Sequence, residues 1–403
     1  MGPSNDTDEA AFSLPLVVEE PCALYPGLEA FSNEYDADDY RGWVEQSNGD
    51  PLPAPLALYI HDGRSHARPP SAAQQLQAVE QELRLQGRLF DPDRSLQQLI
   101  LAGSIASEWG EEHLERLILL LQNSFHLSGD GRSSWCLCLG AQSPIPASLS
   151  RLVQLGFAAA RLEVAPGVDR TDTLASRVGM LREAGLQQIF LDMEPVVEWL
   201  DQLAGVLAAT VPQRVRLGAR TGAARADYAE LLSQQGYRNI GLDWFVRPED
   251  PLSQAQDAGR LHWSLLGYTA LRDPDVIGIG PGALSSVGEW YGMNEPRWQR
   301  YRSLLAQDQL PVACGVELEP DDALRREIMH MILADACIRV SAIEEKWGIG
   351  FHRFFAGESA QLQAFERQGW VEQGDDAIRV LVSSRDSLTA LCRLFDRRGV
   401  SWK

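Results

Sequence analysis

Four short apolar runs set the fold: Trp135-Cys-Leu-Cys-Leu139, Ala159-Ala-Arg-Leu-Glu-Val164, Gln188-Ile-Phe-Leu-Asp-Met193 and Arg214-Val-Arg-Leu-Gly-Ala219. Between them lie Ser148–Leu155, Asp172–Glu183 and Val196–Leu207, and Ala224–Gln235 follows the last. Apolar runs of this length suit buried strands, and the longer amphipathic stretches suit helices that cover a sheet face. Their alternation is the pattern of a parallel sheet with helices outside.

The same pattern extends upstream. Leu56-Ala-Leu-Tyr-Ile60 and Leu96–Ala102 read as two further strands. Helices are expected over 72–90, with Leu76, Val79, Leu83 and Leu85, and over 111–125, with Leu114, Leu117, Ile118 and Leu121 on one face. About six β/α units run from residue 56 to 245, too few to close an eight-unit barrel. The expected fold is α/β, a partial (β/α)6 barrel over residues 56–320.

Beyond residue 320 the pattern changes. Ala323–Ala336 and Ala360–Gln368 read as helices, Ile378–Val382 as a short strand, and a helical stretch begins at Asp386. This predicts a helical, winged-helix-like module over 321–403. Residues 1–55 read as an acidic, irregular N-terminal arm with short ordered pieces, because the first 60 residues carry 12 acids and one base, Arg41.

Composition bounds the function. The chain has 403 residues, 36 Lys+Arg and 56 Asp+Glu, and a net charge of −20. That balance opposes binding to nucleic acid phosphates or to an anionic membrane. Residues 321–403 carry 12 Lys+Arg against 13 Asp+Glu, whereas a DNA-binding wing would be basic. Lys346 and Lys403 are the only lysines. Neither follows a glycine-rich loop, which opposes a P-loop enzyme, and neither sits where a buried Schiff-base lysine is expected. No stretch is long and apolar enough for a membrane span, and the polar, acidic N-terminus lacks a leader pattern, so a cytoplasmic protein is expected.

Six cysteines occur, at 22, 136, 138, 314, 337 and 392, with no C-x-x-C spacing. Cys136 and Cys138 alternate on one strand face and are too close in sequence for an ordinary disulfide. Reduced, buried thiols are expected.

Gly241-Leu-Asp-Trp-Phe-Val-Arg-Pro-Glu-Asp-Pro-Leu252, Gly259-Arg-Leu-His262 and Gly267-Tyr-Thr269 form a distinctive series, continued by Gly278-Ile-Gly-Pro-Gly-Ala-Leu-Ser285, Gly288, Tyr291 and Asn294. Asp321-Asp322, Arg325-Arg326 and Ile343-Glu344 extend it. On these residues the chain resembles the oxygen-independent coproporphyrinogen III oxidases, radical S-adenosylmethionine enzymes of haem synthesis. Leu24-Tyr25-Pro26 is similar to the family's Tyr-Pro segment, and Leu56–His61 to its first barrel strand.

The resemblance implies a [4Fe–4S] cluster held by three cysteines spaced C-x-x-x-C-x-x-C after that strand, with S-adenosylmethionine on the remaining iron position. The segment after His61 is Asp-Gly-Arg-Ser65-His-Ala-Arg-Pro69-Pro-Ser-Ala72. Counted without gaps, the three cysteine positions hold Ser65, Pro69 and Ala72, and no cysteine lies between Cys22 and Cys136. The glycine-rich cofactor strand end is represented by Ala102-Gly103-Ser104, Cys138 stands where the family has an acid, and Asp192-Met-Glu-Pro195 replaces Tyr-Gly-Leu-Pro. These departures lead us to expect that the cluster and S-adenosylmethionine are lost and that no metal is held.

What remains is a candidate ligand pocket of Tyr25, Tyr59, His61, Asp243, Arg247, Gly267, Tyr268 and Thr269. Tyr59 and His61 end the first strand, where they line a pocket or simply pack. Arg247 either orients a tetrapyrrole propionate or pairs with Asp243 to lock a loop. Gly267–Thr269 lines the pocket or is retained architecture. His61, His66, Cys136 and Cys138 are side chains able to ligate a haem iron. Glu344-Glu345 and Arg397-Arg398 read as solvated surface. The expected function is a non-catalytic relative of the oxidase that binds haem, another tetrapyrrole or a protein of haem metabolism. The alternatives are an active oxidase and a ligand-free scaffold.

Overall fold

The computed structural model describes residues 24–62, 70–103, 105–127, 134–141, 143–218 and 224–398. Its centre is seven parallel strands: β1 (Leu56–Ile60), β2 (Ser95–Leu101), β3 (Ser134–Leu139), β4 (Ala159–Val164), β5 (Gln188–Met193), β6 (Arg214–Leu217) and β7 (Asp275–Ile279). Their order is β7-β1-β2-β3-β4-β5-β6. The six expected strands are all present. The seventh has the sequence Asp-Val-Ile-Gly-Ile, whose glycine hides the strand pattern. That glycine is required by close approach, because a Cβ on Gly278 would lie 2.2 Å from the carbonyl oxygen of Leu284.

The sheet is open and mixed. Antiparallel strands Leu284–Val287, Trp290–Asn294 and Val312–Glu317 continue it beyond β7, and Trp244–Val246 and Arg238–Gly241 continue it beyond β6. Helices cover its outer face, burying Leu83, Leu117, Leu121, Leu174, Leu181 and Leu203 against the strands. Helix α1 (Ala72–Gly87) starts at a Ser71–Gln74 capping box, which satisfies two otherwise unpaired N–H groups.

One helical residue, Glu82, is fully buried. Its carboxylate accepts hydrogen bonds from Gly280 N at 2.9 Å, from Asn294 Nδ2 at 2.6 Å and from the Tyr301 hydroxyl. Burial raises its carboxyl to about 7.

The N-terminal arm holds an ordered piece. Residues 1–23 lie outside the described residues, but Ala37–Asn48 form a helix that buries Tyr40 and Val44. Its acids have a local role: Asp36 caps the helix in a reciprocal box with Asp39, and Asp38 and Asp39 fill the first turn. Negative charge at a helix N-terminus is stabilising.

The C-terminal part contains helix Pro320–His330, a π-helical turn Met331–Asp335, strand Cys337–Arg339, helices Val340–Trp347 and Ser359–Arg367, and hairpin strands Val371–Gln373 and Ala377–Val380, before helix Arg385–Leu394. The three strands form one small antiparallel sheet; strand Cys337–Arg339 and helix Val340–Trp347 add to the helix, helix and wing expected from sequence. Its core also takes in Ile240, Leu242, Trp244, Trp263 and Tyr268, so packing is continuous across residue 320.

The last described residues are exposed, as expected, but their side chains are paired. Arg397 Nε donates to Asp322 Oδ1 at 2.8 Å and Arg398 Nη2 to Asp322 Oδ2 at 2.6 Å. The two guanidiniums hold this carboxyl well below its usual range although burial opposes them. Glu344 likewise accepts from Phe351 N at 2.7 Å.

Candidate functional site at the barrel mouth

In a parallel β/α architecture, functional groups gather at the C-terminal ends of the strands. At the end of β1, Tyr59 is buried on the inner sheet face. Its ring stacks on His61, with centroids 5.9 Å apart and planes 13° apart. Asp62 follows, with its side chain fully buried and Oδ1 4.0 Å from His61 Nε2. Burial lowers the His61 pKa, and the Asp62 charge opposes that shift. Gly103, at the end of β2, has φ +68°, and a Cβ on it would lie 2.2 Å from Asp62 Oδ1. The carboxylate therefore rests directly on the glycine backbone.

The inner face continues along the sheet. Because side chains alternate, Cys136 and Cys138 both face inward from β3, with Ala159 and Arg161 beside them on β4. Arg161 Nε lies 3.4 Å from Asp192 Oδ2 on β5, and Arg216 Nη2 on β6 lies 3.2 Å from the same oxygen. All three side chains are buried. Arg161 also lies over the Trp244 ring, 5.5 Å from its centroid. The neighbouring Gly218, just past β6, is backed by Glu194: a Cβ on it would lie 2.0 Å from Glu194 Oε1.

Asp243 closes this side of the mouth. It has φ +59°, and its carbonyl accepts from Leu217 N at 3.1 Å. Its carboxylate pairs with Arg225 and lies 3.4 Å from Arg385 Nε. Burial pushes this carboxyl up, against the pull of Arg225.

The structure thus brings Tyr59 and His61 together and separates the other expected residues. Ser65, His66 and Pro69 lie outside the described residues. Ala72 is the first residue of α1, and its methyl group has no donor atom. Tyr25 is buried against the C-terminal part, with its hydroxyl 3.4 Å from Asp322 Oδ1; burial pushes its phenol well up.

Arg247 does not pair with Asp243. Its backbone N–H donates to Gln213 O at 3.0 Å, just before the start of β6, so it stands at the opposite end of the strands from the mouth. Its guanidinium lies 4.2 Å from the Tyr237 ring centroid and donates to Gln235 O at 3.2 Å. That position removes it as a propionate partner at the mouth.

Gly267–Thr269 form a hairpin strand paired with His262–Ser264. Tyr268 packs edge-on against Trp244 and Trp263, and its hydroxyl donates to Leu333 O at 2.9 Å. Thr269 Oγ1 accepts from Leu271 N at 3.1 Å. These residues tie the barrel edge to the C-terminal part.

The sequence reading missed Arg161 and Arg216 and met Asp192 only as part of the altered strand end. Its available signal was parity: each sits on the same strand face as the inward Cys136, Cys138 and Phe190. Among the described residues no helix is long and apolar enough to cross a membrane.

Comparison with known proteins decides the relationship. The oxygen-independent coproporphyrinogen III oxidase of Salmonella typhimurium is 27% identical over 391 residues, covering 85% of each chain. The chain is a relative of these oxidases. The Synechocystis oxidase is 23% identical over 430 residues, covering 92% of this chain and 91% of the relative. The solved coproporphyrinogen III oxidase of Escherichia coli, described as a radical S-adenosylmethionine enzyme, superposes with a TM-score of 0.82 at 22% identity, over 93% of this chain and 97% of the other. The oxidase fold is therefore shared nearly end to end. No protein-family model matches the chain.

Proposed function

We propose that this chain is a non-catalytic relative of the oxygen-independent coproporphyrinogen III oxidases that binds a tetrapyrrole or a protein of haem metabolism in the cytoplasm. The observation that carries the reading is the segment after β1. It holds Ser65, Pro69 and Ala72 at the three thiolate positions, and no cysteine occurs between Cys22 and Cys136. A [4Fe–4S] cluster needs thiolates, and a hydroxyl, a proline ring and a methyl group do not supply them. These residues do not fit the cluster, and no reaction step is derived through it or through S-adenosylmethionine.

A second reading, a ligand-free scaffold, draws support from Arg161, Asp192 and Arg216. Two guanidiniums on one carboxylate satisfy the inner face from within. The charge balance favours a tetrapyrrole or protein partner over nucleic acid.

Two measurements test these readings. Anaerobic reconstitution with iron and sulfide is expected to leave no stoichiometric cluster; one cluster per chain would overturn the non-catalytic reading. Haem titration followed by absorbance is expected to saturate at one equivalent, and a flat titration would favour the scaffold.

A further inference from the structure

Cys136 and Cys138 are unabsorbed by the reading above. They stand two residues apart on β3, and the strand's alternation sends both side chains to the inner face. They are 8% and 4% exposed and are not joined by a disulfide. Tyr59, Ile100, Ala102, Ala159 and Phe190 lie in the same hydrophobic cluster. Arg161 sits directly opposite Cys138 in the register of β3 and β4.

We propose that Cys136 and Cys138 form a two-thiolate site for a soft monovalent metal ion, with Cu(I) as the physiological occupant. Thiolates select soft ions such as Cu(I) over hard, oxygen-seeking cations. Cu(I) accepts two sulfur ligands, so two thiols on one strand face suffice. Zinc and calcium sites take four or more ligands, and among the described residues no group of three or more His, Cys, Asp or Glu is suited to a metal.

The charges and atoms balance without a redox step. Each thiol gives up one proton and forms one S–Cu bond, so binding one Cu(I) releases two protons. The resulting bis-thiolate complex carries one negative charge. Arg161 faces it, held in position by Asp192 at 3.4 Å. The site lies at the same mouth as the function proposed above but does not depend on tetrapyrrole binding.

The test is an anaerobic competition titration of the reduced full-length chain against the Cu(I)–bathocuproine disulfonate complex, read from the chelator's absorbance. One equivalent of Cu(I) is expected to pass to the wild-type chain. Cys136→Ser and Cys138→Ser should each weaken retention by more than the roughly 10–100-fold typical of losing an outer-shell partner, and Arg161→Gln should fall within that range. Cys314→Ser and Cys392→Ser should match wild type. A separate measurement on wild type alone, proton release in weak buffer, should give two protons per Cu(I), which keeps the test decisive if a buried variant fails to fold. Undiminished retention by the folded Cys136→Ser/Cys138→Ser double variant, or no transfer to folded wild type, would overturn the proposal.

Discussion

Asn294 donates from Nδ2 to Oε1 of Glu82 at 2.6 Å, across 212 positions of sequence. The bond ties α1 to the antiparallel flank of the sheet. The other donors to this carboxylate, Gly280 N and the Tyr301 hydroxyl, are also neutral, and burial outweighs all three, leaving the carboxyl at about 7.

This sets a pH dependence. Unfolded, Glu82 ionises near 4.5; folded, near 7. Between those values the unfolded chain releases a proton that the fold retains, so stability falls as pH rises through that window and levels off above it. The loss from this group is roughly 3 kcal/mol. Urea unfolding at pH 5 and pH 7.5 should show Glu82→Gln losing correspondingly less stability than wild type over that interval. Parallel pH profiles for the two proteins would refute it.

The Asp322 clamp behaves oppositely. Its carboxyl is held down, so its stabilisation persists at neutral pH and is lost as pH falls below the ordinary value of 3.8. Arg397→Ala and Arg398→Ala should each cost about 1.5–3 kcal/mol, the range for hydrogen bonds to charged groups. The double variant should cost more than the sum, because either guanidinium alone still covers the buried carboxylate. Denaturant melts of the four proteins read this directly, and strict additivity would count against a shared clamp.

At the mouth, Asp192 Oδ2 is shared by Arg161 and Arg216. Asp192→Asn removes the charge that both buried guanidiniums contact and should destabilise by about 3–5 kcal/mol. Adding Arg216→Leu should recover part of the loss. No recovery in thermal melts would show that the two arginines do not depend on this carboxylate.

Arg247→Ala should leave haem affinity unchanged and lower stability by about 0.5–1 kcal/mol, the scale of an exposed cation–π contact. Calorimetric haem titration and thermal unfolding on the same variant separate these effects. Weakened haem binding with an unchanged melting temperature would restore the propionate role.

Much of the fold was legible because β1 to β6 are near-continuous apolar runs between amphipathic helices. The strand β7 and its antiparallel neighbours were not, since Gly278 and Gly280 interrupt the pattern where backbones approach closely. The mouth was half legible. Tyr59 and His61 follow from their place at a strand end. Arg161 and Arg216 resembled solvent-facing alternation, because a charge that is buried and neutralised from another strand carries no local mark. Arg397-Arg398 are exposed as the sequence suggests, but their pairing was not legible, since their partner lies 75 and 76 residues away.

Tyr25 and Arg397 stand almost at the two limits of the described chain, and the backbone N–H of Arg397 donates to the Tyr25 hydroxyl at 3.4 Å while both touch Asp322. Topologically the described polypeptide is nearly a ring, fastened by one carboxylate. A circular permutant that joins these two limits by a short linker and opens an exposed loop elsewhere would keep every strand neighbour, whereas a fusion that displaces Arg397 would be felt at the opposite end of the polypeptide.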